Sequence, residues 1–322
     1  MRTTVMLQLA VIPVLASACA LRQRPEAIAS PRSPEEIVFA RSSDDVLDAG
    51  VLFTPASDSA KPVAIIWIHG WGVNFYQPSY VAIGRALAQH GYTTISANTR
   101  MHDLGNVEGY RGGKRVRGGG YWGLGSEEPR DLAAWIDLAE HRGFKQVVLV
   151  GHSAGWAAVR SYVSTIEDPR VVGVVLASGE VRPDTRRPDL DQLRQARDLM
   201  AKGEGDALFR DPKRNFPSYI SAATYLDIFN SEAPRAVDFF GIKTPSAAIA
   251  RLRAPILAFF GTDDDVGGQE ELDLLKSAVA RQSGAPPVTT TLIGGADHMY
   301  TGQEQQVADV IARWAMNLRT SR

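Results

Sequence analysis

Short apolar runs alternate with amphipathic segments along most of this chain. Residues 63–68 are continuously apolar, which indicates a strand buried on both faces of a sheet. A segment with helical spacing follows over 79–90, with apolar residues at Val81, Ile83 and Leu87, and Gly91 lies at the expected helix end. The same succession recurs toward the carboxyl end. Further strands are predicted over 92–97, 146–150, 171–177, 256–260 and 288–293, and further helices over 127–141, 154–166, 269–280 and 303–318.

Strands that alternate with helices predict a parallel sheet with crossover connections, so the fold class is α/β. Two extended segments between residues 36 and 55 predict an antiparallel start. The alternation breaks once, over 180–253, where helical pieces lie among charged and proline-rich stretches without a clear buried strand. We expect this segment to be a cap inserted over the carboxyl ends of the strands, where open α/β sheets bind ligands. The core then comprises 36–179 and 254–322.

The first residues have the pattern of an export signal. Arg2 precedes an apolar run over 5–18 that ends in small residues, and the run is too short to span a hydrocarbon core of about 30 Å. Cys19, the only cysteine of the chain, follows directly. This resembles a bacterial lipoprotein signal, in which the cysteine is lipidated and becomes the first residue of the mature protein. We therefore predict a signal peptide over 1–18 and a tether over 19–35.

Two other interpretations of this segment stay open. An ordinary signal peptidase could cut after Ala18 or after Ala20, because both sites fit the small-x-small rule. The apolar run could also form a buried helix at the amino terminus. Both forms of processing predict export to the bacterial cell envelope or periplasm, but only lipidation of Cys19 would attach the chain to a membrane.

Composition and charge exclude several classes of protein. Hydrophobic residues make up 44% of the 322 residues and charged residues 22%, which is typical of a globular chain rather than a collagen-like, coiled-coil or disordered one. The 35 basic and 36 acidic residues leave a net charge of −1, so the basic excess that nucleic-acid binding requires is missing. A single cysteine excludes a disulfide framework and a cysteine-based metal site.

The strongest motif, Gly151-His152-Ser153-Ala154-Gly155, lies between a predicted strand and a predicted helix. In this context G-x-S-x-G forms a strained turn that exposes the serine hydroxyl. The turn also places Ser153 at a helix amino terminus, where the dipole favours developing negative charge. A simple glycine-rich turn is the alternative. We predict that Ser153 is a nucleophile, which needs a base to take its proton.

His298 is the candidate base, because it follows the last predicted strand in a glycine-containing loop late in the chain. The other five histidines are not expected to act as the base. His90 and His141 lie at predicted helix ends, and His69 and His102 follow predicted strands. His152 lies inside the motif, but we expect it to point away from the serine.

The candidate acid lies in a run of three aspartates after the fifth predicted parallel strand. A carboxylate there falls in the chain order Ser, Asp, His, and it would fix the tautomer of the base and stabilise the imidazolium. A spacing of three residues from Gly261 favours Asp264, and Asp263 stays open as the alternative. Asp265 is expected to cap the next helix. Glu180 is a more remote alternative for the acid.

Two backbone N–H groups are needed to hold the oxyanion of a tetrahedral intermediate. One is expected at Ala154, directly after the nucleophile. The other is expected in the loop after the first parallel strand, 69–72, where we choose Trp71.

These residues resemble the motifs of the α/β-hydrolase superfamily, and the resemblance extends over about residues 36–318. It implies an eight-stranded, mostly parallel sheet with a cap domain, a two-step mechanism through an acyl-serine, and no cofactor. Within the superfamily the chain is most similar to serine esterases, because haloalkane dehalogenases have an aspartate at the position of Ser153. One departure is Thr99-Arg100-Met101-His102-Asp103, which replaces the usual Asp-x-Arg-Gly run. The motifs that carry the resemblance are His69-Gly70-Trp71-Gly72, Gly151-His152-Ser153-Ala154-Gly155, Gly261-Thr262-Asp263-Asp264 and Gly295-Ala296-Asp297-His298.

The favoured function is hydrolysis of a small-molecule carboxylic ester by Ser153, His298 and Asp264. The first alternative is a peptidase, amidase or acyltransferase, because the same triad serves these reactions. The second is a non-catalytic binding protein of the cell envelope on the same scaffold. The substrate and the oligomeric state cannot be read from the sequence.

The glycine-rich segment 111–120 carries four cations. We expect a mobile, solvated loop there, and a basic lip that attracts anionic substrates is the alternative. The nearby pair His102-Asp103 lacks a companion cluster, so no metal is expected.

Overall fold

Strands and helices alternate through the structure, a computed structural model that describes residues 35–56, 60–111, 114–182, 188–210, 219–229, 238–243 and 247–318. The strands are β1 (Glu35–Arg41), β2 (Leu47–Phe53), β3 (Val63–Ile68), β4 (Thr94–Ala97), β5 (Asn106–Arg111), β6 (Lys114–Gly118), β7 (Gln146–His152), β8 (Val171–Ala177), β9 (Leu208–Arg210), β10 (Tyr219–Ser221), β11 (Ile256–Gly261) and β12 (Val288–Ile293). The helices are α1 (Pro78–Gln89), α2 (Gly119–Trp122), α3 (Glu128–His141), α4 (Gly155–Thr165), α5 (Leu190–Ala201), α6 (Ala222–Ile228), α7 (Ala247–Arg251), α8 (Gln269–Ala280) and α9 (Glu304–Ala315), with a 3-10 turn at Gly125–Glu127.

The amino-terminal predictions fall outside this range. The signal peptide over 1–18, the lipidation of Cys19 and the tether up to residue 34 all lie outside the described residues and stay predictions. Within the described ranges, no helix is both long and apolar enough to cross a bilayer.

Eight strands form one sheet, in the order β1-β2-β4-β3-β7-β8-β11-β12. Neighbouring strands from β4 to β12 are parallel, whereas β2 is antiparallel to both β1 and β4. The α/β class with an eight-stranded, mostly parallel sheet is therefore confirmed. Because the carboxyl ends of parallel strands meet at one edge, the residues after β7, β8, β11 and β12 lie close together.

Helices cover both faces of the sheet. Ile65 and Trp67 of β3 pack in one buried cluster with Ile83 of α1 and Ile311 of α9. The intervening Ile66 belongs to the opposite cluster, which α3, α4 and α8 complete. Successive strand residues point to opposite faces, so burial of both faces requires the continuous apolar run seen in the sequence.

The glycine-rich segment differs from the expected loop. β5 and β6 pair antiparallel, with Val107 opposite Arg117, and α2 follows directly. Gly119 begins α2 with φ +82°, and a Cβ built on it would lie 2.8 Å from the backbone nitrogen of Gly105. The left-handed conformation and this close approach explain why glycine stands at residue 119.

The described part of 180–253 has its own small core. α5, α6 and the antiparallel pair β9–β10 enclose Phe209, Ile220 and Tyr225. β9 and β10 were not expected, because strands of three residues are too short to show a periodic pattern. The Trp122 indole N–H donates to the Asp206 carbonyl at 3.0 Å, which ties these elements to α2. The boundaries of a cap at 180 and 253 stay a prediction.

Arg100, in the segment that departs from the usual motif, is the centre of a buried ion cluster. Its guanidinium lies 2.6 Å from Asp131 of α3, 3.0 Å from Asp44 of the β1–β2 turn and 2.5 Å from Glu127 of the 3-10 turn. The Arg100 side chain is 4% exposed and that of Asp131 is fully buried. Burial raises the pKa of Asp44, but hydrogen bonds from Arg100, Ser42 and Arg130 outweigh this effect and lower it. Arg100 therefore fixes the end of β4 to three neighbouring elements.

Replacing Arg100 with methionine is expected to lower the free energy of unfolding by about 3–5 kcal/mol, because it leaves the buried Asp131 carboxylate without its counter-ion. Arg130→Met is the matched control, since Arg130 contacts Asp44 and Glu127 from a side chain that is 46% exposed. That variant should lose no more than about 1 kcal/mol. Urea denaturation of both variants measures the difference, and equal losses would contradict a central role for Arg100.

Candidate active site

Ser153 occupies a strained turn between β7 and α4. Its φ is +53°, a left-handed conformation that non-glycine residues rarely adopt. The Ser153 N–H donates to the Ala177 carbonyl at 2.9 Å, and its own carbonyl accepts from the Trp156 N–H at 3.1 Å. These bonds hold the turn at the carboxyl edge of the sheet. The sequence predicted this geometry from the G-x-S-x-G motif.

The two motif glycines allow close backbone contacts around the turn. A Cβ on Gly155 would lie 2.4 Å from the His69 carbonyl oxygen, and one on Gly151 would lie 2.6 Å from the Cα of Trp156. No side chain fits at these distances. The glycines therefore allow α4 to start directly against the loop that follows β3.

His298 and Asp264 form a hydrogen-bonded pair at the same edge. The Nδ1 of His298 lies 3.0 Å from Oδ1 of Asp264. The Asp264 side chain has no exposed surface, whereas that of His298 is 23% exposed. The Nδ1–H donates to the carboxylate, which leaves Nε2 of His298 as the nitrogen that can accept a proton. The structure thus brings together the predicted base and the favoured candidate acid.

Asp264 is held in its charged form. Burial by itself raises the pKa of this carboxyl, but hydrogen bonds from His298, Ser178 and the Val266 N–H outweigh burial and hold the pKa below its usual value. The carboxylate stays ionised at neutral pH and throughout the mildly acidic range. It can therefore stabilise a protonated His298.

The other carboxylates take different positions. Asp263 is exposed and accepts a hydrogen bond from the Thr262 hydroxyl at 3.2 Å. The prediction that Asp265 caps the next helix was wrong, because α8 begins after Gly268, whose N–H is bonded by the Glu271 side chain at 3.1 Å. Glu180 is exposed beyond β8. Among the described residues, Asp264 is the carboxylate that His298 hydrogen-bonds.

Ligand atoms of Asp264, Asp265 and His298 lie within 4.8 Å of one another, so these side chains could also hold a cation. His298 and Asp264 are already hydrogen-bonded there. A cation bound through Nδ1 would displace the proton that joins them.

The loop after β3 lies against the nucleophile. A Cβ on Gly70 would lie 3.2 Å from the Cβ of Ser153, so the backbone next to Trp71 passes close to the serine. Ala154 is the residue that precedes α4, and it is exposed at the helix amino terminus. The Trp71 ring packs over α2, since a Cβ on Gly120 would lie 2.7 Å from it. The two residues chosen as N–H donors thus belong to different elements, the loop after β3 and the start of α4.

His152 links the nucleophile loop to the loop of the base. Its Nε2–H donates to the His298 carbonyl at 2.8 Å, and its Nδ1 accepts from the Tyr80 hydroxyl at 2.7 Å. The Tyr80 oxygen in turn accepts from the Gly70 N–H at 3.0 Å. Burial and, to a smaller extent, the adjacent His298 lower the pKa of His152 to about 3, so the ring is neutral. His152 points away from Ser153, as the sequence predicted, but its structural role was not foreseen.

Ser178 and Tyr300 were also missed by sequence reasoning. The Ser178 hydroxyl donates to Oδ2 of Asp264, and the Tyr300 hydroxyl donates to Ser178 at 2.7 Å. Both residues are fully buried. The sequence shows that Ser178 directly follows the predicted fourth parallel strand and that Tyr300 is two residues after His298. These positions alone do not indicate a contact with Asp264.

The predicted triad lacks one of its two hydrogen bonds in this structure. Among the hydrogen bonds of the described residues, none joins the Ser153 hydroxyl to His298. The His298 ring is nevertheless next to the nucleophile loop, with its centroid 4.9 Å from that of His152. In ligand-free enzymes the bond between nucleophile and base is often long and tightens when substrate binds.

Solved structures with this fold come from several organisms. The esterase domain of a Rhodothermus marinus protein superposes with a TM-score of 0.54 at 19% identity, covering 88% of this chain and 99% of its own. Est1E from Butyrivibrio proteoclasticus gives 0.55 at 15% identity, covering 87% and 97%. An esterase of Pyrococcus furiosus gives 0.55 at 14% identity, covering 89% and 92%. At these identities the likeness concerns the fold. No curated protein matches the chain in sequence.

A sequence model described as the alpha/beta hydrolase family matches residues 65–310. This range includes most of β3 and the loop after it, the Ser153 turn, the aspartates after β11 and the His298 loop. The match covers well over half of the chain and agrees with the strand order of the sheet. The chain therefore belongs to the alpha/beta hydrolase family.

Proposed function

We propose that the protein is a serine hydrolase that cleaves carboxylic esters through an acyl-serine intermediate. The observation that carries this proposal is the hydrogen bond between the buried Asp264 carboxylate and His298, beside the strained turn of Ser153. A histidine whose Nδ1–H is bound by an ionised carboxylate has Nε2 available as a general base. A serine hydroxyl is a weak nucleophile until such a base takes its proton.

The reaction would proceed in two steps. Ser153 Oγ attacks the ester carbonyl carbon while Nε2 of His298 takes the hydroxyl proton. The backbone N–H groups of Trp71 and Ala154 donate to the oxyanion, and Asp264 stabilises the imidazolium. When the C–O bond breaks, His298 gives its proton to the departing alcohol. Water then attacks the acyl-serine by the same route, which releases the acid and restores Ser153.

Two considerations favour esters as substrates. The solved structures with which this chain shares its fold include proteins named as esterases, from Rhodothermus marinus and Pyrococcus furiosus. An alkoxide is also a better leaving group than an amide nitrogen, so the proposed triad needs less assistance to expel it. A small-molecule ester is therefore the proposed substrate class, in preference to a peptide.

Covalent labelling tests the nucleophile. A fluorophosphonate probe should modify the folded protein at one site, and mass spectrometry of the digest should place the adduct on Ser153, because only an activated serine reacts rapidly with this phosphorus centre. Heat-unfolded protein is the control and should not be labelled. Turnover of p-nitrophenyl acetate and butyrate, compared with the matching p-nitroanilides, measures ester against amide preference. A folded protein that resists labelling would be a non-catalytic member of the family.

A further inference from the structure

The carboxylate of Asp264 is bound from two sides, and only one side is the candidate base. We propose that Ser178 and Tyr300 are positioning residues, which hold the second oxygen of Asp264 and thereby orient His298. This inference rests on the proposed function, because it concerns how the same site is kept ready for proton transfer.

The hydrogen-bond chain has one consistent direction. An ionised carboxylate can only accept, so the Ser178 hydroxyl donates its single hydrogen to Oδ2 of Asp264. The Ser178 oxygen is then an acceptor, and it receives the Tyr300 hydroxyl at 2.7 Å. On the other side, Oδ1 of Asp264 accepts from Nδ1 of His298 at 3.0 Å and from the Val266 N–H at 2.9 Å. Each oxygen of the carboxylate is thus fixed by at least one donor.

Because these groups are buried, water cannot replace a hydrogen bond that is lost between them. Ser178 and Tyr300 are fully buried, and the Asp264 side chain has no exposed surface. When a buried partner is removed, the remaining acceptor is left without a donor. Held by His298 and Val266 through one oxygen only, the Asp264 carboxylate could rotate about its Cβ–Cγ bond. The imidazole would then lose the fixed direction in which its Nε2 faces the nucleophile.

Backbone conformation adds an independent observation. Ser178 has a φ of +50° and Tyr300 a φ of +60°. Such left-handed conformations cost a non-glycine residue free energy and persist where the surrounding structure enforces them, which is frequent at functional sites. Ser153 shares this feature at +53°. Nucleophile and both proposed positioning residues therefore occupy strained backbone at the same edge of the sheet.

The strand order explains why Ser178 can reach the acid. β8 lies between β7, which leads to Ser153, and β11, which leads to Asp264. The Ser178 N–H donates to the Phe259 carbonyl of β11 at 2.9 Å, so the residue after β8 is bonded directly to the strand of the acid. β8 contributes no member of the proposed triad. The residue that follows it, Ser178, instead supports the carboxylate of Asp264.

Several other ionisable groups face the pair and affect its pH dependence. The neutral His152 ring is 4.9 Å from that of His298, and Tyr80 bonds to His152. Asp297 precedes the base, and its pKa is lowered by the Thr301 N–H. Because these groups are unchanged in Ser178 or Tyr300 variants, a shift in the pH profile of such a variant reports on Asp264 and His298.

The test compares three variants with a matched control. Ser178→Ala and Ser178→Gly remove the donor to Asp264, and glycine adopts the left-handed backbone without strain, so the second variant keeps the fold if alanine does not. Tyr300→Phe removes one oxygen and keeps the ring packed on Phe259. Tyr92→Phe is the control, because its buried hydroxyl donates to the Ala312 carbonyl at 3.3 Å, away from the site.

A positioning role predicts that kcat for p-nitrophenyl butyrate falls about 10- to 100-fold in the Ser178 variants, while KM changes little, because misaligned groups slow the chemical step without weakening binding. Tyr300→Phe should show a smaller loss in kcat. The acidic limb of kcat/KM should move to higher pH, since a carboxylate that has lost a donor attracts the imidazolium more strongly. Tyr92→Phe should keep both the wild-type kcat and the wild-type limb.

Two other outcomes would contradict the inference or the proposed function. If the folded Ser178 and Tyr300 variants keep the wild-type pH limb and kcat, as Tyr92→Phe should, the inference is overturned while the proposed function stands. If the wild type shows no turnover that depends on Ser153, the proposed function itself fails. The two failures are therefore distinguishable in the same set of proteins.

Discussion

The Ser153→Ala variant should have kcat/KM for p-nitrophenyl butyrate about 10⁴- to 10⁶-fold below that of the wild type, because no other group can form the acyl intermediate. Alanine keeps the shape of the turn and the same left-handed φ, so the free energy of unfolding should change little. Stopped-flow and steady-state assays of p-nitrophenol release measure the rate. Thermal unfolding of both proteins checks that the loss concerns chemistry rather than stability.

Ser164→Ala is the matched control for this variant. Ser164 lies on α4, the helix that starts after the Ser153 turn. Its hydroxyl donates to the Ser161 carbonyl of the same helix at 3.1 Å. Its variant should keep wild-type activity within about twofold, as surface substitutions away from a site do. A Ser153→Ala protein that retained a substantial part of the wild-type rate would remove Ser153 as nucleophile.

The second large effect is expected for Asp264→Asn, which should lower kcat about 10³- to 10⁴-fold. Asparagine has nearly the same shape, but it is neutral and cannot stabilise the imidazolium that forms when His298 takes a proton. Its amide can also donate to Nδ1, which favours the tautomer that lacks a free Nε2. The low pKa of Asp264 keeps the wild-type carboxylate charged at neutral pH. Full kcat and KM measurements at pH 8 test the prediction.

Asp263→Asn serves as the control, since it alters the adjacent carboxylate in the same way. Asp263 is exposed and its side chain contacts Thr262 rather than His298. We expect less than about a threefold change, because an exposed charge without a buried partner contributes little. If Asp263→Asn caused the larger loss instead, the acid of the triad would be Asp263.

The main strands were predictable because their patterns are local. The predicted strands at 63–68, 171–177 and 288–293 coincide with β3, β8 and β12 as the structure has them. The hairpin β5–β6 was not predicted, because its glycines and cations have the composition of a loop and its pairing is irregular between Val107 and Tyr110. The composition of a segment indicates only its intrinsic tendency to form a strand. Whether it does form one also depends on the segment with which it pairs.

For the site, the sequence indicated candidates and the tertiary structure distinguished among them. Three consecutive aspartates follow β11, and the spacing rule favoured Asp264 without excluding Asp263. The structure places Asp264 against His298 and leaves Asp263 exposed. The expectation for Asp265 failed because Gly268 and Glu271 provide the start of α8. Neighbouring side chains point in different directions at a strand end, and this direction is set by the loop geometry.

The sequence by itself determined the α/β class, the turn that carries Ser153, and the order in which serine, aspartate and histidine follow their strands. Each of these depends on residues close together along the chain. Only the tertiary structure decided that Ser178 and Tyr300 support Asp264, and that His152 joins Gly70 to the His298 loop through Tyr80. These contacts link residues that are far apart along the chain. The Ser178 contact, for example, exists because the sheet places β8 beside β11.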